Sequence, residues 1–381
     1  MEYIVSLLQQ LGPGPNSQFD PSSPWMYVYI VSLAVIPVFM LYGQKMQSKV
    51  ILNDVSKSLF KLKKMKEDAR VEALDYVRNS IRPASDPSKS IDKFLEYFTI
   101  MPVDMDPNGL MRKLEHIMRT RDDRMRAEVQ KLCSGASSEQ LSRVENILEA
   151  ATALNMIYKV VRHFYLMGKR TTSMFVLVQL QMAMPILLEQ ATALQKAIGT
   201  FEKGQPIGDG IGPMVVGQMM LGREKKFAAK ETVYSTVDLY GRKLYLLKAE
   251  GPSGSVGRPG EAIVRLARDL GIRFSAVVMI DAALKLEGEK TGEVAEGIGA
   301  AIGGIGVEKY QIEEVTTRLD IPLFAIVVKQ SVEDAITLMR KEIFDSLGQV
   351  TETLNSVIQE KTQDGDAVLV VGVGNTMGVG Q

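Results

Sequence analysis

Residues 25–43, WMYVYIVSLAVIPVFMLYG, run for 19 positions without a charged side chain. Wound as a helix, such a run matches the roughly 30 Å of hydrocarbon in a bilayer. Trp25, Tyr27 and Tyr29 stand at one end and Tyr42 at the other, the heights at which aromatic belts form. Pro37 is tolerated in a spanning helix. No lysine or arginine precedes Lys45, whereas Lys45, Lys49, Lys57, Lys61, Lys63, Lys64 and Lys66 follow closely. The positive-inside rule therefore predicts a single-pass anchor in the cell membrane, with residues 1–24 outside and the bulk of the chain cytoplasmic. A cleaved signal peptide would need a positive leading region and a small-residue cleavage site, and neither is present. The opening MEYIVSLLQQL is too short to span and suits an interfacial position.

Beyond the anchor the pattern changes twice. Residues 44–90 read as a charged helical linker, with KLKKMKEDARVEALDYVRNSI mixing signs along a face and Lys61–Lys66 able to touch anionic lipid. Residues 91–203 read as a helical domain: KFLEYF, a turn at MPVDMDPNG, LMRKLEHIMRTRDDRMRAEVQKL, and a long helix opened by a capping-box pattern at Ser137–Gln140. Residues 174–196 are nearly apolar enough for a second span. Gln179, Gln181, Gln190, Pro185 and Glu189 interrupt them, and a buried core helix is the expectation.

From Gly204 the composition shifts: 25 of the 32 glycines lie between there and the end. Apolar runs (KLYLL, FSAVVMID, PLFAIVV, AVLVVGVG) alternate with helical stretches, including EAIVRLARDLG and one long helix from about Val332 to Glu360. This alternation predicts an α/β domain over 204–381, a mostly parallel sheet in a three-layer α/β/α sandwich, with ligands at the carboxyl ends of the strands.

Composition narrows the chemistry. Lys plus Arg and Asp plus Glu are 45 each, so the chain lacks the basic excess of a nucleic-acid binder and none is expected as a partner. One cysteine, Cys133, excludes a disulfide framework and multi-cysteine metal sites. The two histidines, His116 and His163, leave chemistry to carboxylates, hydroxyls, lysines and backbone amides. Cys133 reads as structural, since neither histidine is obviously near it.

Four constellations stand out. Asp209 lies in PIGDGIGPMVVGQMM, at the start of a helix, where it can cap the helix or face a ligand. Asp281 ends the apolar strand FSAVVMID, where a carboxylate costs desolvation unless it is paired or used. Two acids brought together could share a proton or hold a divalent ion, so Asp209 and Asp281 are candidates for both catalysis and metal binding. The loop GPSGSVGRPGEA, Gly251–Ala262, suggests an anion cradle but lacks the spacing of a P-loop or dinucleotide fingerprint, and it brings Glu261 as a third carboxylate. The chain closes on VLVVGVGNTMGVGQ, whose glycine-rich end is expected to pack into the site.

These pieces carry a resemblance. The order Asp209-Gly-Ile-Gly212-Pro213-Met-Val215, Gly260-Glu261, Ile280-Asp281-Ala282, Gly304-Ile-Gly306-Val307, Ile321-Pro322-Leu-Phe-Ala325-Ile326 and Asp334-Ala335 resembles the spore germination endopeptidases and the hydrogenase maturation proteases. The resemblance implies a phosphorylase/hydrolase-like fold, with Asp209 and Asp281 matching the essential acids of the former and Asp209 the metal-binding acid of the latter. No histidine follows His163, so nickel-directed processing is not carried over. The GxGN strand of those enzymes precedes their DxxGP turn, whereas here it comes last, at Gly372–Asn375. A permuted strand would place Asn375 beside Asp209. The whole chain, with its anchor and MPVDMDPNGLMRKLEH, also resembles an archaeal membrane-protein family of unknown function.

The leading expectation is a membrane-anchored cytoplasmic hydrolase, peptidase-like and acting on a protein or peptide. Asp209 and Asp281 would activate water with or without a divalent metal ion, aided by Glu261, Asn375 and glycine amides. Two alternatives stay open: an inactive scaffold or binding protein on the same fold, with Lys329-Gln330 replacing a catalytic feature, and a nucleotide-responsive membrane protein using Gly251–Gly260. Assembly into an oligomer is compatible with all three.

Overall fold

The computed structural model describes residues 24–100, 107–303 and 306–380. The opening segment, most of the MPVDMDPNG turn, and Gly304 and Ile305 of the glycine motif lie outside them. The described chain forms two compact units, residues 24–59 with 161–184, and residues 60–160 with 185–380.

Five long or medium helices come first: α1 (Pro24–Tyr76), α2 (Ser88–Leu95), α3 (Pro107–Leu132), α4 (Ser138–Thr171) and α5 (Met174–Lys203). The uncharged run lies wholly inside the 53-residue α1. α4 begins at the expected capping box: the Ser137 amide donates to Gln140 Oε1 at 2.9 Å and the Gln140 amide to Ser137 Oγ at 3.2 Å. α5 departs from the expected core helix. Only 22% of its apolar window is buried, and Phe175, Met182 and Ile186 are exposed. It is long and apolar enough to cross a membrane by length and composition alone.

The α/β region begins with a 3-10 turn, Gly208–Gly210, and α6 (Ile211–Met220). Then come β1 (Lys226–Ala229), β2 (Thr232–Leu239), β3 (Arg242–Ala249), α7 (Pro259–Val264), β4 (Ala276–Leu284), β5 (Val294–Ile298), α8 (Val307–Arg318) and β6 (Leu323–Gln330). α9 (Val332–Ile336), α10 (Lys341–Asp345), α11 (Leu347–Lys361) and β7 (Ala367–Gly372) complete it. The seven strands form one sheet in the order β1-β2-β3-β7-β4-β6-β5.

That sheet is mixed, where a mostly parallel one was expected. β3, β7, β4 and β6 run parallel, but β1/β2, β2/β3 and β5/β6 are antiparallel. The reason is local. Glu231, Tyr240 and Gly241 adopt positive φ (53°, 49° and 71°), closing two tight hairpins that need no helical crossover. The last strand in sequence is central in space, and this burial explains its unbroken AVLVVG composition.

Alternation divides the core cleanly. Ala276, Val278 and Ile280 of β4 with Val368 and Val370 of β7 join one apolar cluster, which includes α6 and α11 residues. Val277 and Met279 of β4 with Leu369 and Val371 of β7 join the other, with α7 and α8 residues. Helices therefore cover both faces.

The single long helix expected over 332–360 is instead three. Residues 337–340 leave the helix to bond with the segment entering the 3-10 turn: Met339 N donates to the Pro206 carbonyl at 2.8 Å, and Leu338 bridges Ile207. Helical periodicity cannot reveal this break, because the partner lies about 130 residues away in sequence. It fixes the approach to Asp209.

Candidate functional site

The carboxyl ends of β4 and β7 meet the start of α6, and small residues let them do so. A side chain at Gly212 would strike the carbonyls of Ile280 and Val373, and one at Gly374 the carbonyl of Asp209. Gly374 also holds φ at 129°, a conformation that L side chains rarely adopt. Behind the turn, a Cβ on Gly208 would meet the Asp334 carbonyl and Gln330 Oε1. Asp334 is itself anchored in a reciprocal capping box with Ser331. The 3-10 turn carrying Asp209 is thus held from both sides.

These contacts deliver Asp209 and Asp281 to one cleft of about 440 Å³. Its lining includes Met118, Arg119 and Asp122 of α3, Arg258 and Pro259 before and in α7, Gly306–Glu308 at the start of α8, and Val373-Gly374 after β7. Asp281 is 6% exposed. Its Oδ1 accepts from the Ala282 amide at 2.7 Å. Burial first, then the neighbouring Asp209 charge, push the Asp281 carboxyl up to about 8. Burial raises Asp209 as well, opposed by one hydrogen bond: the Asn375 amide donates to Asp209 Oδ2 at 2.7 Å. Asp281 therefore favours its protonated form at neutral pH, and the Asp209 charge opposes its ionisation.

Asn375 therefore does stand beside Asp209, at the end of a parallel strand that arrives last in the chain. Its contribution differs from the expected one. The backbone amide, which any residue but proline supplies, makes the contact. The side chain turns away, Nδ2 donating to the Gly254 carbonyl at 3.1 Å and Oδ1 accepting from the Met377 amide at 2.8 Å.

Glu261 is not brought to the pair. Arg119 Nη2 holds its carboxylate at 2.9 Å and Arg258 Nη1 at 3.5 Å, and it borders a neighbouring depression rather than this cleft. The carboxylate that does enter is Glu308, whose Oε2 accepts from the Gly260 amide at 2.6 Å and whose acidity burial weakens. Its sequence signal, a glutamate two residues after Gly306 in the first turn of a helix, is ordinary N-terminal dipole chemistry and so passes unnoticed. Asp122, likewise raised by burial, gave no signal at all in its charged helix.

The glycine loop is stitched rather than open. The Ser255 amide donates to Thr376 Oγ1, the Gly257 amide to Ser255 Oγ, the Arg258 amide to Thr232 Oγ1 and the Gly260 amide to Glu308. These four amides are bonded within the protein and so are not offered to an anion. Residues 373–380 pack as expected, with Thr376, Met377 and Val379 buried. Lys329 lies away from the pair, bonded to Glu289 at 2.6 Å and Glu293 at 3.0 Å. Gln330 is buried against Gly208. Cys133 is buried, and burial pushes its thiol up to about 11, the state of an inert structural cysteine.

The donor set does not fit a dedicated metal centre. Among the described residues no three His, Cys, Asp or Glu side chains converge. Two carboxylates, each already accepting a backbone amide, are a thin shell for a hard cation that takes six or more oxygens.

The fold and site together define a helical amino-terminal half followed by an α/β domain with an acid pair, one buried and one half-buried, at its sheet edge. The chain belongs to the DUF1512 family: residues 29–204 match its N-terminal domain, described as a protein of unknown function, and residues 207–380 its C-terminal domain of unknown function. No curated protein matches the chain.

Proposed function

We propose that this protein is a membrane-anchored hydrolase, peptidase-like, that uses Asp209 and Asp281 as an acid–base pair on an α/β domain of the phosphorylase/hydrolase type. The observation that carries the reading is the meeting of two carboxylates in one cleft, the half-buried Asp209 and the buried Asp281, whose carboxyl burial and the Asp209 charge push up to about 8. Paired acids whose environments separate their protonation states are the arrangement that acid–base hydrolysis needs. Asp209, fixed by the Asn375 amide, takes the proton of an attacking water. Asp281 gives its proton to the leaving group. The collinear motifs resembling the germination endopeptidases support an amide bond as the target, and the residue 25–43 run supports a single-pass anchor with this domain in the cytoplasm. No step passes through a metal ion.

Turnover of a mixed peptide library by the full-length protein in lipid nanodiscs tests the reading. Asp281→Asn and Asp209→Asn are each expected to reduce cleavage by about 10²–10⁴-fold while thermal unfolding stays cooperative. Full activity in a folded Asp281→Asn variant would overturn it. The inactive-scaffold alternative takes support from the Asn375 side chain and Glu261 both being committed elsewhere, and it would be favoured by a wild-type protein that cleaves nothing.

A further inference from the structure

We infer that the tip of the α4–α5 hairpin is a second membrane contact, seated on an anionic bilayer surface beside the spanning segment; the inference rests on the reading of residues 25–43 as that span. Three observations meet within one compact unit. First, charge is segregated. The chain as a whole is balanced, yet residues 24–59 and 161–184 contain Lys45, Lys49, Lys57, Arg162, Lys169 and Arg170 against Asp54 alone. No acidic residue occurs between Glu149 and Glu189. Lys169 and Arg170 are exposed, in the last turn of α4.

Second, apolar side chains at the tip face outward. Phe175, in the first turn of α5, is 71% exposed, and Leu166, near the end of α4, is also exposed, while Val161, Leu177 and Leu180 are buried. Gly168 allows the two helices to close, since a Cβ there would strike Leu177. Third, the tip lies at the right height. Ser48 Oγ approaches Met174 Sδ at 3.9 Å, so α5 starts beside α1 five residues beyond Gly43. That is about 7 Å along the helix, within the headgroup layer that flanks the hydrocarbon. Exposed aromatic and aliphatic groups next to Lys169 and Arg170, on a hairpin stretch with no acid from residue 150 to 188, match the chemistry of an anionic lipid surface.

The test places a fluorophore on cysteines at Tyr42, Phe175 or Met156 in a full-length Cys133→Ser background, in nanodiscs containing doxyl-labelled lipid. Nanodiscs of phosphatidylcholine mixed with phosphatidylglycerol are compared with phosphatidylcholine alone. Strong quenching at Phe175→Cys in the mixed lipid, and none at Met156→Cys, is the expected result. Lys169→Glu with Arg170→Glu should bring the signal at 175 down to the level seen at 156, because each charge carries about a fivefold preference for an anionic surface. Quenching at Tyr42→Cys without quenching at Phe175→Cys overturns the hairpin contact and leaves the anchor standing. Quenching at neither overturns both. Cross-linking between copies through Phe175→Cys, with no quenching, overturns the lipid assignment in favour of a second copy of this chain.

Discussion

The sheet of the α/β domain and the hairpin unit of residues 24–59 and 161–184 are both rich in apolar side chains, and they dispose of them in opposite ways. In the sheet, Val368 to Val371 alternate between two helix-covered faces and all four are buried. In the hairpin unit, Phe175, Met182, Tyr42 and Met46 stay outside. Their acids differ as sharply. The sheet edge buries Asp281 and holds Asp209 nearby, at a desolvation cost, whereas the hairpin unit has Asp54 alone. Apolar content therefore does not identify a core. What separates the two regions is whether another layer of the same chain covers the apolar face, and whether charge is removed from the region or retained where chemistry can use it.

Core truncation should break the comparison most visibly. Leu246→Ala, inside the sheet cluster, is expected to cost about 2–5 kcal/mol by denaturant unfolding. An equally tolerant response there would mean that the sheet core is loosely packed.

The acid pair makes the next largest difference, through pH. The unfolded chain releases the Asp281 proton near the ordinary carboxylate value of about 3.9, while the folded chain keeps it to about 8. Over that window this group keeps its proton in the native state and loses it in the unfolded one, so its contribution to stability falls as pH rises from about 4 to about 8. Asp281→Asn should flatten this slope and be more stable than wild type at pH 8, on the order of a few kcal/mol, as it loses activity. Thermal melts across the range check the sign; a variant less stable than wild type at alkaline pH would show that the carboxylate has an undetected stabilising partner.

Gly374→Ala comes third. Strain at φ 129° and the collision with the Asp209 carbonyl should cost roughly 1–3 kcal/mol, and activity should fall further than stability because the displaced group is the turn that carries Asp209. Kinetics and unfolding measured on the same sample separate the two effects.

Met182→Ala should change unfolding free energy least, by about 0.5 kcal/mol or less in detergent, since the side chain is 74% exposed. A cost approaching that of Leu246→Ala would mean that the hairpin face packs on something in solution, erasing the contrast between the regions.

Much of the architecture was legible from pattern alone. The Ser137–Gln140 cap, the apolar strands with helices between them, and Asp281 at a strand's carboxyl end all follow from local periodicity and the cost of placing an acid after apolar residues. The pairing of the final GVGN strand with the Asp209 turn was not legible in local pattern; its expectation came only from the resemblance in motif order. What pattern missed involves distant partners. The antiparallel hairpins of β1–β3 depend on positive φ at Glu231 and Tyr240, residue types that seldom announce such turns. Glu261 and Glu308 look alike in sequence, each in the first turn of a helix. The geometry sends Glu261 to two arginines and Glu308 into the cleft.

The sequence by itself determined the membrane-length run, the segregation of charge, the strand and helix content, and the two aspartates worth watching, because these depend on side-chain chemistry and short-range spacing. Only the tertiary structure decided which carboxylates meet, that Asn375 serves through its backbone, that four amides of the glycine loop bond within the protein, and that the apolar face of α5 is left uncovered. Each of those outcomes is set by contacts between residues tens to hundreds of positions apart, and burial, pairing and proton affinity all follow from those contacts rather than from any one side chain.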